Sequence, residues 1–170
     1  MPRAIRLYVK YVEAVNRVVG RVAMYMIFVM IGVLLYSAIS RSVFNVPLIW
    51  VVEVAQMLLA AYYLLGGAYS VQLESHVRMD LAYGHLAPRR QAFTDTITAV
   101  CLISYLILLL VGGISSTQYA LEYGQKNYST WAPPLAPIKI VMCIGITLML
   151  LQAIAIFFKD LARVRGQEIA

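Results

Sequence analysis

The sequence predicts an all-α integral membrane protein with four transmembrane helices and an N-terminal amphipathic interfacial helix. Three observations lead there. The chain has 170 residues, of which 62% are hydrophobic and only 13% charged. A soluble domain of that composition would expose too much apolar surface. Four apolar runs are long enough to span, since about 20 residues at about 1.5 Å each cross a hydrocarbon core of about 30 Å. The runs are continuous and do not alternate, so they read as helices, which satisfy their own backbone groups in lipid.

The first element covers residues 1–21. Its charges fall at Arg3, Arg6, Lys10, Glu13, Arg17 and Arg21, and its apolar residues at Ile5, Tyr8, Val9, Val12, Val15 and Val19. Both sets step by threes and fours and take opposite faces of a helix. Such a basic amphipathic helix either lies in the headgroup plane or docks on the cytoplasmic rim of a partner. Spans follow at 22–40, 48–73, 94–117 and 138–158, and a tail at 159–170. The first span is too long for the h-region of a cleaved signal peptide, and no A-x-A-like site follows it.

The formal net charge of +6 is distributed in a way that argues against a nucleic-acid partner. Arg3, Arg6, Lys10, Arg17 and Arg21 precede span one; Arg78, Arg89 and Arg90 join spans two and three; Lys159, Arg163 and Arg165 follow span four. Eleven of the 14 basic residues therefore share one side. The positive-inside rule puts that side, with both termini, in the cytoplasm. Trp50 and Trp131 then sit at the outer interface, where amphipathic rings prefer to lie.

Glu53 stands inside span two, where an ionised carboxylate is costly. Steps of three and four from it give Glu53, Gln56, Ala60, Tyr63, Gly67, Ser70 and Glu74, all small or polar. Val51, Val54, Leu58 and Leu65 lie on the opposite face. A stripe of this kind marks a helix face turned toward protein, because small residues let backbones approach and polar ones bond across the contact. Gly66 and Gly67 strengthen that reading. The acid could meet Arg41 at the end of span one, carry a proton, or meet a donor on another polypeptide. Apart from Asp95 and Lys139 at their ends, spans one, three and four hold no acidic or basic residue that would extend it into a proton or ion path, so the expected role is structural pairing or subunit docking.

The inner loop carries His76, Arg78, Asp80 and His85, a spacing that could hold a metal but fits a cytoplasmic elbow of exchanged salt bridges better. In the outer loop Gly124 is a plausible stop for span three, and Pro137 suits the start of span four. Trp131, Pro133 and Pro134 form a stiff ledge that either anchors in the interface or receives a partner. Cys101 and Cys143 fall within spans at different depths, and are read as buried small hydrophobes without a disulfide or metal. No phosphate loop, haem-ligand pair or nucleophile–base pair is present, so no enzyme and no cofactor is implied. The residues by themselves point to an accessory membrane subunit. Two rivals are a small self-assembling proton-coupled exporter using Glu53 and a membrane assembly or anchor subunit without a transport role.

Three short motifs add a family. Trp50-Val51-Val52-Glu53 opens span two, His76-Val77-Arg78-Met79-Asp80 follows it, and Ser129-Thr130-Trp131-Ala132-Pro133-Pro134 precedes span four. In order and spacing the chain resembles the small membrane subunit, DctQ-like, of tripartite ATP-independent periplasmic (TRAP) transporters of bacterial inner membranes. The resemblance implies a scaffold beside a large multi-span subunit that carries sodium and substrate, with a periplasmic substrate-binding protein delivering an organic acid anion. Carried over, Trp50 and Glu53 would fix the helix at the inter-subunit contact or within the bundle, His76, Arg78 and Asp80 the elbow, and Trp131, Pro133 and Pro134 the periplasmic face. Because the chain ends soon after span four, the two membrane subunits are expected as separate polypeptides.

Overall fold

The computed structural model describes residues 3–73 and 88–164, with side chains described within 5–73 and 97–159. Four helices hold nearly all of it: α1 Arg3–Phe44, α2 Trp50–Gln72, α3 Pro88–Glu122 and α4 Ala136–Val164. Each contains a stretch long and apolar enough to cross a membrane: Ile5–Phe44, Trp50–Gln72, Ile97–Glu122 and Ala136–Lys159. The all-α membrane class expected from composition is the class observed.

The N-terminal segment differs from a separate interfacial helix. No Pro interrupts residues 3–44, and Gly20 is the first glycine in them. The amphipathic segment and span one therefore run on as one helix of 42 residues. At about 1.5 Å per residue it is about 63 Å long, roughly twice the hydrocarbon thickness. The apolar face of its first turns covers the end of α4. Val9 and Val12 pack on Ala155, with Ile5, Tyr8 and Leu151 around them.

Helices α2 and α4 form the middle of the bundle. Helix α1 lies against both, and α3 packs along α4. Contacts of Leu64 with Gly145 and of Gly67 with Met149 show that α2 and α4 run parallel. A Cβ on Gly145 would stand 2.6 Å from the Leu64 carbonyl oxygen, so this crossing admits only glycine at its present separation. A second close approach is Gly20, whose Cβ would fall 2.5 Å from Cβ of Tyr69. Small residues at such crossings let backbones meet where lipid offers no hydrophobic drive. Between α3 and α4 the seam is apolar: Leu106, Ile146 and Ala153 are buried among Leu102, Ile103, Leu110, Met142 and Met149.

Helix α3 ends as its glycine predicts. Gly124 takes φ 55°. The Gln125 N–H donates back to the Ala120 carbonyl at 3.0 Å, closing a Schellman motif. The cysteines differ from expectation. Cys143 is half-buried, its Sγ 3.3 Å from Thr117 Oγ1, but Cys101 is exposed on α3. An apolar thiol facing lipid carries no burial requirement.

Candidate functional site

Helix α2 begins at Trp50, and its N-cap Ile49 has no side chain able to accept from the free N–H groups of the first turn. Glu53 is the acidic residue of this turn. The residue is 8% exposed, and its Oε2 is buried without a hydrogen-bond partner among the described residues. Arg41 does not pair with it: the ion pair seen among the described residues joins Lys159 to Glu13 instead. Register explains the miss. Gly20 opposite Tyr69 on antiparallel helices brings Glu53 level with Tyr36. Arg41, exposed, then lies about 7 Å further along the axis.

The stripe below Glu53 is not the face α2 uses inside this chain. Besides Glu53 itself, Val51, Ala55, Ala61, Ala68 and Val71 are the buried positions. Gln56 is exposed, as is Tyr63, while Trp50, Ala60, Gly67 and Ser70 are half-buried. The chain thus packs α2 through a row of alanines and leaves Gln56 and Tyr63 of the polar row exposed. Sequence reasoning missed the alanines, whose signal was the spacing of Ala61 and Ala68. Gly67 meets only the flexible Met149 side chain, and Gly66 meets nothing within 4 Å. The close approaches fall on Gly20 and Gly145.

At the Trp50 end of the bundle, the loop after α3 is pinned to the start of α4. Lys126 and Pro134 form an isolated antiparallel bridge. The Asn127 N–H donates to the Pro133 carbonyl at 2.9 Å, and the Leu135 N–H to the Gln125 carbonyl at 2.9 Å. Lys139 Nζ donates to Gln125 Oε1 at 2.7 Å and to the Ser116 carbonyl at 3.2 Å. On this frame Pro133 is buried and Pro134 exposed. Trp131 keeps 46% of its surface exposed, and Ala132 beside it takes φ 48°.

At the other end, three polar contacts tie α1 to α4. Asn16 Nδ2 donates to Gln152 Oε1 at 2.6 Å, Tyr8 Oη to the Leu151 carbonyl at 3.1 Å, and Lys159 pairs with Glu13. None was anticipated, although Asn16 continues the apolar row at Val12 and Val19. His76, Arg78, Asp80 and His85 lie outside the described residues.

With four spanning helices, an acid without a donor among the described residues and a pinned loop between α3 and α4 in place, the family comparison is decisive. The family "Tripartite ATP-independent periplasmic transporters, DctQ component" matches residues 7–163. The chain belongs to this family. It is a DctQ-type small membrane subunit, a transporter component and a multi-pass membrane protein. It is similar to the sialic acid TRAP transporter permease protein SiaT of Haemophilus influenzae (strain 86-028NP), 29% identical over 105 residues. That match covers 62% of this chain and 17% of the relative, so the DctQ-type chain spans only a small part of the length of that permease.

Proposed function

We propose that this DctQ-type subunit is the static scaffold of a TRAP transporter. It holds a large multi-span subunit that performs sodium-coupled uptake of an organic acid anion, delivered by a periplasmic substrate-binding protein. The observation that carries the reading is Glu53. A carboxylate with no donor for its Oε2 among the described residues, on a helix whose Gln56 and Tyr63 stand exposed, suits a helix that finishes its bonding on another polypeptide. Trp50, Glu53, Gln56 and Ala60 dock directly in this reading. Tyr63, Gly67 and Ser70 continue the face toward the inner boundary.

The protein sits in the bacterial inner membrane with both termini cytoplasmic, as the basic residues favour. His76, Arg78 and Asp80 order the cytoplasmic elbow, and Trp131, Pro133 and Pro134 receive the binding protein. The relative's sialic acid is itself an organic acid anion, which supports the substrate class.

Coexpression with the large subunit tests this. A stable one-to-one membrane complex should copurify, and uptake should require both chains, the binding protein and a sodium gradient. Solute movement through vesicles containing this chain alone, abolished by Glu53→Gln, would overturn it.

A further inference from the structure

Between α1 and α2 runs an open groove of about 380 Å³, walled by Gly20, Met24, Tyr62, Tyr63, Gly66 and Tyr69. Its volume falls in the range of about 300–1,000 Å³ typical of small-molecule sites. The lining is predominantly apolar. The Ser70 and tyrosine hydroxyls are its polar elements.

The groove has a direction. On α2 it extends from Leu73, at the membrane boundary, to Tyr62, a rise of about 16 Å into the hydrocarbon. At the boundary end, Arg21 adjoins Gly20, and Arg17 precedes it by one turn on the same face of α1. Both arginines are exposed, and neither has an ion-pair partner among the described residues.

An apolar slot descending from two exposed arginines at headgroup depth has the charge and shape of one ligand class. We infer that the α1–α2 groove binds an anionic phospholipid of the leaflet that bears the N-terminal arm. One acyl chain lies in the slot, and the phosphate meets Arg17 and Arg21. A polar or charged partner helix would leave its side chains against apolar walls, whereas an acyl chain has none to satisfy. The inner three members of the polar row then touch lipid, and the row above Ala60 remains for the large subunit.

Gly66 provides a variant that fills the slot without disturbing the fold, since a Cβ there meets nothing within 4 Å. The full chain is purified and placed in nanodiscs of phosphatidylglycerol or of phosphatidylcholine. Retained lipid is counted by native mass spectrometry, and unfolding is followed by temperature. Wild type should retain one phosphatidylglycerol and unfold at higher temperature with it than with phosphatidylcholine. Gly66→Leu should lose both the retained lipid and the difference, while unfolding normally in phosphatidylcholine. Arg17→Gln and Arg21→Gln should each weaken phosphatidylglycerol retention about fivefold, from the attraction of one basic side chain to an anionic headgroup. Equal retention of the two lipids by wild type, or full retention by Gly66→Leu, overturns the inference. So does a photo-crosslinker at Tyr63 that captures the large subunit in the intact complex and no lipid.

Discussion

Asn16 and Gln152 share a 2.6 Å hydrogen bond, and each side chain is only 1% exposed. They lie 136 residues apart in sequence. The bond joins the N-terminal part of α1 to the second half of α4, flanked by the Tyr8–Leu151 and Glu13–Lys159 contacts.

Breaking that bond from one side strands a buried amide. Asn16→Leu or Gln152→Leu should therefore cost about 1–3 kcal/mol. The double leucine variant should lose less than the sum, because neither orphan remains. Thermal unfolding of the four proteins in one detergent gives the cycle. Strict additivity would show that the contact is not formed.

The α2–α4 crossing should rank glycine substitutions. Gly145→Ala drives a Cβ into the Leu64 carbonyl and should lose about 1–3 kcal/mol, with Gly145→Val worse. Gly67→Ala meets only the end of Met149 and should cost less. Gly66→Ala should be close to neutral. Unfolding midpoints measured side by side check the order; an equal loss at Gly66 and Gly145 would contradict this crossing.

Glu53 should show opposite signs in two assays. In the isolated chain, Glu53→Leu removes a buried oxygen that has no partner among the described residues, so stability should hold or rise. In the complex it should weaken assembly by about 1–3 kcal/mol, the cost of an unmet donor on the partner. Copurification yield against a stability curve of the lone subunit separates the effects. Intact assembly with lost sodium coupling would make Glu53 part of an ion path.

Trp131 is held outward by a loop tied down on both flanks, so its removal should not unfold anything. Trp131→Ala should leave complex yield unchanged and reduce uptake several-fold at limiting binding protein. Saturating binding protein should restore the rate if the defect is in docking. Normal uptake at the limiting concentration would leave the tryptophan as an interfacial anchor only.

The helices were legible because hydropathy and length act over twenty residues at a time, and Gly124 because a positive φ has few alternatives. The partner of Glu53 was not. Two residues at one membrane edge are neighbours only if register allows, and register depends on where Gly20 meets Tyr69. The Asn16–Gln152 bond stayed hidden because a single amide barely alters an apolar average. The continuity of α1 was missed for a related reason. Its side-chain pattern changes at Val22, from amphipathic to wholly apolar, but a change of pattern is not a backbone break. The polar row on α2 was visible, and the exposure of Gln56 and Tyr63 within it was not, since alanines can pack as closely as the row itself.

Helix α1 has no joint where it leaves the membrane. A rod of about 63 Å that tilts by about 5° swings its far tip by on the order of 5 Å. Because the arm is fastened to α4, that swing cannot be absorbed by the arm alone. To the extent that α1 stays straight, a push at its Phe44 end is carried to the opposite surface, and the two faces of this subunit are coupled as the ends of a lever.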